Sequence, residues 1–128
     1  MARPHELERA KRALQCINKI KEDKPAWEKK FSSYVKSAPT MVLTNGLGQS
    51  LAFWKAKATG ESVDAKAYRN LIDNLNQNIK LTFFTNNDLL VSVINNFDSW
   101  QYRRATSEVL EFLKWLKKFA TSELKSEG

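Results

Sequence analysis

The sequence has 128 residues, of which 42% are hydrophobic and 27% charged; Lys and Arg number 21 against 14 Asp and Glu, a formal charge of +7. This length and balance predict one folded domain over 1–128, large enough for a single core, and exclude an intrinsically disordered chain. A single cysteine, Cys16, excludes an internal disulfide, and no run of about 18 apolar residues is present to span a membrane. The opening MARPHELERAKRA lacks the apolar centre of a secretory leader, so the expected location is cytoplasmic.

In chain order, the first predicted helix runs from about Pro4 to Glu22. Leu7, Ala10, Leu14, Ile17 and Ile20 or Lys21 give it an apolar stripe, and Lys24-Pro25 ends it, because the residue before proline avoids the α region. A second helix starts at Pro25, buries Trp27, Phe31, Tyr34, Val35 and Ala38, and closes at Pro39. The third is expected from Pro39 to about Ala58, with Leu43, Leu47, Leu51, Trp54 and Ala58 inward. It contains Gly46 and Gly48, each worth up to about 1 kcal/mol against helix. That cost points to close approach on the face that Gly48 shares with Asn45, Ala52 and Lys55, by a neighbouring helix or by a partner or nucleic-acid backbone, or else to a turn at Asn45-Gly46.

Thr59 to Ser62 reads as a linker, after which Asp64 is placed to cap a fourth helix that buries Tyr68, Leu71, Ile72, Leu75 and Ile79. Leu81 to Thr85 reads as a helix end and loop. Asn86 or Asn87 is expected to cap a short fifth helix, with Leu89, Leu90, Val93, Ile94 and Phe97 inward. Asp98 or Ser99 caps the last helix, which reaches about Leu124 and buries Tyr102, Ala105, Val109, Phe112 or Leu113, Leu116 and Ala120. The expected fold is therefore all-α, a compact bundle of five to six helices.

No catalytic constellation is legible. His5 and Cys16 lie three turns apart on one helix, about 16 Å along its axis, too far for a nucleophile pair. Asn45-Gly46-Leu47-Gly48 lacks the Gly-Lys of a phosphate-cradling loop. Carboxylate neighbours such as Glu22-Asp23 sit beside Lys21 and Lys24, as in a solvated ion-pair face. No cofactor and no enzymatic activity are expected.

The charge excess is uneven: residues 1–36 hold ten basic and five acidic side chains, residues 64–98 three and four. Such an excess favours polyanions, nucleic acid first. Arg9, Arg12 and Lys19 form a ridge along the first helix, which either grips phosphates or is a solvated flank. Lys55 and Lys57 end the third helix; Arg103 and Arg104 begin the last, and Lys114, Lys117 and Lys118 cluster towards its end. Glu108 and Glu111 are within i,i+4 and i,i+3 reach of Arg104 and Lys114, so ion pairing competes with nucleic-acid contact there. Trp115 and Phe119 fall off the apolar stripe and are candidates for a protein interface or for base stacking.

Two segments carry a resemblance: TNGLGQSLAFWKAK from Thr44 to Lys57, and YRRATSEVLEFLKWLKKFA from Tyr102 to Ala120. Their order, spacing and lysine-rich ending resemble the small helical subunit of the type III-B CRISPR effector, the Cmr RNA-silencing complex. The resemblance implies an all-α subunit without nuclease activity of its own, serving antiviral defence. Copies of it would stack into a short filament along the backbone subunit, and together line a basic channel for guide RNA and target RNA. It implies other effector subunits as partners; no membrane partner is expected of the sequence. The alternative from the residues alone is a helical protein–protein adaptor without direct nucleic-acid binding.

Overall fold

The computed structural model describes residues 4–126. They form six helices in one all-α bundle: α1 Pro4–Asp23, α2 Glu28–Asn45, α3 Leu47–Lys57, α4 Val63–Asn78, α5 Leu89–Asn95 and α6 Ser99–Glu123. No strand occurs among these residues, and no helix is long and apolar enough to cross a membrane.

α6 is the organising element, packing along α1 and α2, while α2 and α3 pack on α4 and α3 on α5. Its start is fixed by a capping box: Asp98 Oδ1 accepts the Gln101 N–H at 2.8 Å, and Gln101 Oε1 accepts the Asp98 N–H at 2.9 Å. Ala105, Val109, Phe112, Leu113, Leu116 and Ala120 are fully buried, the stripe expected from the spacing. Two ion pairs join α6 to α1: Arg9 to Glu108 at 2.6 Å and Lys21 to Glu123 at 2.7 Å. Both partners advance in the same direction, so the two helices run parallel.

α1 departs from its expected stripe. The buried positions are Ala13, Ile17 and Ile20, while Leu7 is 56% and Leu14 38% exposed. Helical spacing allows either face; the smaller Ala13 takes the buried one, and Arg9 on that side reaches Glu108. α1 ends where Pro25 demands, and Lys24, barred from right-handed α, takes the left-handed region at φ 48.

The largest correction concerns Pro39. It neither closes one helix nor opens another, but lies inside α2, which continues to Asn45. The break falls at Gly46 (φ 88), where the turn reading of Asn45-Gly46 holds. The Gly46 N–H bonds to Val42 O at 2.9 Å to finish α2, and its carbonyl accepts the Ser50 N–H at 3.1 Å to begin α3. Leu43 therefore follows the periodicity of α2, in which Val35, Ala38 and Val42 face inward, and is 73% exposed. Leu47, Leu51 and Trp54 are buried as expected.

Tyr102 of α6 completes this corner, its hydroxyl oxygen accepting the Gly48 N–H at 3.1 Å. A Cβ on Gly48 would meet Val93 at 3.6 Å and the Tyr102 hydroxyl at 3.7 Å, ordinary contacts, whereas one on Gly46 would meet that hydroxyl at 3.3 Å and sit at positive φ. Gly48→Ala is therefore expected to be neutral or to stabilise by up to about 1 kcal/mol, and Gly46→Ala to destabilise by more than about 1 kcal/mol. Urea midpoints of the two variants check this pair.

Three smaller expectations are corrected. Ser62, not Asp64, caps α4, accepting the Ala65 N–H at 3.0 Å. Asp88, not Asn86 or Asn87, caps α5, accepting the Val91 N–H at 3.1 Å; Asn86 instead braces the turn from outside, accepting from the Ser92 hydroxyl at 2.6 Å. Ile94 is 66% exposed rather than inward.

Candidate nucleic-acid interface

The ten cations singled out by sequence fall into two groups. Arg9, Arg104 and Lys114 are engaged within the chain. Arg9 forks onto Glu108, with Nε to Oε2 at 2.6 Å and Nη2 to Oε1 at 2.8 Å, and Arg104 approaches the same carboxylate at 3.4 Å. Burial raises the pKa of the Glu108 carboxyl, but the hydrogen bond and charge of Arg9, with Arg104 behind them, outweigh it and hold it below the usual carboxylate range. The same bond raises the already high pKa of Arg9. Lys114 meets Glu111 at 3.3 Å, one turn earlier on α6. Glu108 is buried, so Arg9 is a structural fastener first.

The remainder are free to meet a ligand. Arg103, Lys117, Lys118, Lys55, Lys57 and Lys19 make no ion pair among the described residues, and all six are exposed. Arg12 is intermediate, and its one ion pair among the described residues is with Glu8 at 3.8 Å.

Two of the lysines lie over aromatic rings, Lys57 at 5.5 Å from the centre of Phe53 and Lys118 at 5.2 Å from that of Trp115. Trp115 in turn stacks on Phe119, with centroids 5.7 Å apart and planes at 24°. Both rings are half-buried and packed against the core, so each offers part of its surface rather than a projecting anchor. Beside them, Pro39 of α2 and Lys114, Lys117, Lys118 and Thr121 of α6 line an open groove of about 430 Å³. Lysine ammonium groups around half-exposed aromatic rings supply charge for phosphates and π-faces for bases.

α1 is unbroken, so His5 and Cys16 stay apart as expected. Cys16 accepts a hydrogen bond from Asn78 Nδ2 at 3.4 Å, and burial pushes its thiol pKa up against the opposing pull of that bond and of Arg12. It is a packed thiol, not an activated thiolate. Among the described residues no group of three His, Cys, Asp or Glu is placed to hold a metal ion.

Sequence reasoning paired Arg104 with Glu108 but missed Arg9, the closer partner, because 99 residues separate the two. It also missed Glu28, buried at the start of α2, whose Oε2 accepts the Lys125 N–H at 2.8 Å and ties down the segment after α6. Neither contact has a local signal.

A model of the family described as CRISPR-associated protein (Cas_Cmr5) matches residues 5–123. The fold is similar to that of a solved CRISPR-associated Cmr5 family protein from Thermus thermophilus, with a TM-score of 0.77 and 23% identity over 97% of this chain and 100% of that one. At that identity the structural match speaks for the fold, and the family match, spanning all six helices, speaks for descent. The chain belongs to the Cas_Cmr5 family, the small helical subunits of type III-B Cmr complexes.

Proposed function

We propose that this protein is a non-catalytic subunit that binds RNA for a nuclease located elsewhere in the complex. Copies of it stack with one another and with the backbone subunit to line a basic channel for guide and target RNA. The observation that carries the RNA part is the division among the cations. Where a carboxylate lies within reach, as for Arg9, Arg104 and Lys114, it is used; Arg103, Lys117 and Lys118 on the same helix are exposed and have none among the described residues. Free cations beside half-exposed rings suit a backbone-and-stacking mode of binding with little sequence preference. Trp115 and Phe119 then serve as the apolar part of the contact with RNA or with a neighbouring subunit.

The test is a salt titration of RNA binding. Triple charge reversal, Arg103→Glu with Lys117→Glu and Lys118→Glu, leaves the Arg9–Glu108 fastener intact. It is expected to weaken single-stranded RNA binding uniformly across sequences and to lower the slope of log K against log salt by about 2, from the ~0.7 per phosphate of single strands. RNA affinity unchanged by the reversal would sink the assignment of these residues.

A second reading, an adaptor that contacts only protein, is favoured by the exposed apolar side chains Leu43, Ile94 and Trp100. Under it the triple reversal would leave RNA binding of the assembled complex untouched, while Ile94→Asp and Trp100→Asp would release the chain from its partners.

A further inference from the structure

We infer that a cleft between the first half of α1, α6 and Lys80, just past the end of α4, is a phosphate-binding site. The cleft has a volume of about 220 Å³ and is lined by Arg9, Arg12, Lys80 and Arg104 together with Glu8, Glu108 and His5. His5 apart, four cations face two carboxylates, an excess of two positive charges. These residues come from three separate parts of the chain, and Lys80 and His5 have no place in the interface described above.

The cations are not equally satisfied. Glu108 takes both bonds from Arg9 and approaches Arg104, but makes no ion pair with Arg12. Among the described residues Arg12 pairs only with Glu8, at 3.8 Å, and the Glu8 side chain is 61% exposed. The Arg12 side chain itself is 18% exposed, and its Nε is buried with no hydrogen-bond partner among the described residues. A buried donor without an acceptor costs about 1–3 kcal/mol, and more when it belongs to a charged group. A ligand that draws the Arg12 guanidinium towards the cleft and offers it acceptor oxygens removes that cost. Lys80 is available for the same ligand, since its Nζ donates to Gln77 O at 2.9 Å and keeps two further donors.

Phosphate is the ligand class that fits. Its oxygens match the planar fork of a guanidinium and a second cation at once, and a phosphomonoester carries close to the two negative charges that the cleft lacks. A carboxylate offers one charge and two oxygens, and Glu8 already fails to hold Arg12 in that way. The phosphate can belong to a free ion or to an RNA strand. Only the RNA source rests on the function proposed above.

The test is a ¹H–¹⁵N titration of the full chain that follows the arginine Nε–H signals and the backbone around residues 5–12, 80 and 104. The probes are inorganic phosphate and a short RNA with or without a 5′-phosphate. Inorganic phosphate at millimolar concentrations is expected to shift the Arg12 Nε–H and the amides near Lys80. Arg12→Gln is expected to weaken that binding by about tenfold or more, as for loss of one charge-assisted pair. Lys80→Gln, at an exposed position outside the core, gives a second reading if Arg12→Gln fails to fold. An Arg12 signal unmoved by phosphate, or a shift with equal affinity in Lys80→Gln, overturns the site. If the site stays silent while RNA binds elsewhere, the cleft is wrong and the RNA reading stands. If phosphate binds and RNA binds nowhere, the cleft stands and the RNA reading fails. An RNA that moves these signals only when 5′-phosphorylated identifies the strand end as the source.

Discussion

Glu108→Ala is expected to lower the stability of the fold by about 3–5 kcal/mol, the range for removing one partner of a buried ion pair. The Glu108 side chain is 4% exposed and that of Arg9 16%, so neither recovers full hydration when its partner goes. Arg104, 41% exposed, adds little because solvent screens it. A loss of this size lowers the melting temperature of a domain this long by roughly 10 °C or more. Glu108→Gln keeps the shape and some of the hydrogen bonding and should lose less. The same pair sets an acid dependence. The folded-state pKa of Glu108 lies below the ordinary carboxylate value, so the unfolded state binds more protons as pH falls. Its contribution is complete above the ordinary carboxylate range and fades as pH drops through the lowered value. Stability measured against pH should therefore fall more steeply on the acid side in the wild type than in Glu108→Gln. Thermal melts from pH 7 down to the acid limit check both statements.

Trp54→Ala is expected to cost about 3–5 kcal/mol, the usual range for truncating a fully buried aromatic. Trp54 is 2% exposed near the end of α3, in one core with Leu47 and Leu51. α3 has only 11 residues and packs on α4 and α5, so its docking depends on few large side chains. Trp54→Phe should recover much of the loss. If Trp54→Ala unfolded at the wild-type urea midpoint, α3 would not be part of the cooperative core. By contrast, Trp100→Ala, at a 60% exposed ring, should stay close to wild type in stability.

These variants mark where sequence was sufficient. The 3.6-residue period identified Leu47, Leu51 and Trp54 as buried although it placed the start of their helix eight residues too early. It did so because the inward face is set by spacing among large apolar side chains, which a wrong boundary leaves intact. Pro39 misled because proline disfavours a helix interior by about 3 kcal/mol, a local cost that the packing of α2 against α6 and α4 overrides. Leu7 and Leu14 misled for the converse reason: Ala13 and Leu14 both lie at helical spacing from Ile17, and the choice between them is made by packing against α6. The cap of α6 was legible to within one residue, Asp98 or Ser99, because capping is local chemistry; the box with Gln101 settles it on Asp98.

The candidate interface was legible in outline only. Spacing alone paired Lys114 with Glu111 and Arg104 with Glu108, and so indicated which cations ion pairing would contest. It could not show that Arg9 reaches across the bundle to Glu108, nor that Lys80 joins Arg12 in one cleft, since these meetings depend on how α1, α4 and α6 come together. The resemblance carried by residues 44–57 and 102–120 agrees with the family match, which extends over residues 5–123.

Native mass spectrometry of the complex assembled with its backbone subunit and guide RNA tests the central claim most directly. The expected result is a particle that holds RNA and more than one copy of this chain, and that sheds those copies when the triple variant at Arg103, Lys117 and Lys118 replaces the wild type at raised ionic strength. An assembled backbone–RNA particle that never includes this chain, or one that retains the triple variant as firmly as the wild type at every salt concentration, would contradict it.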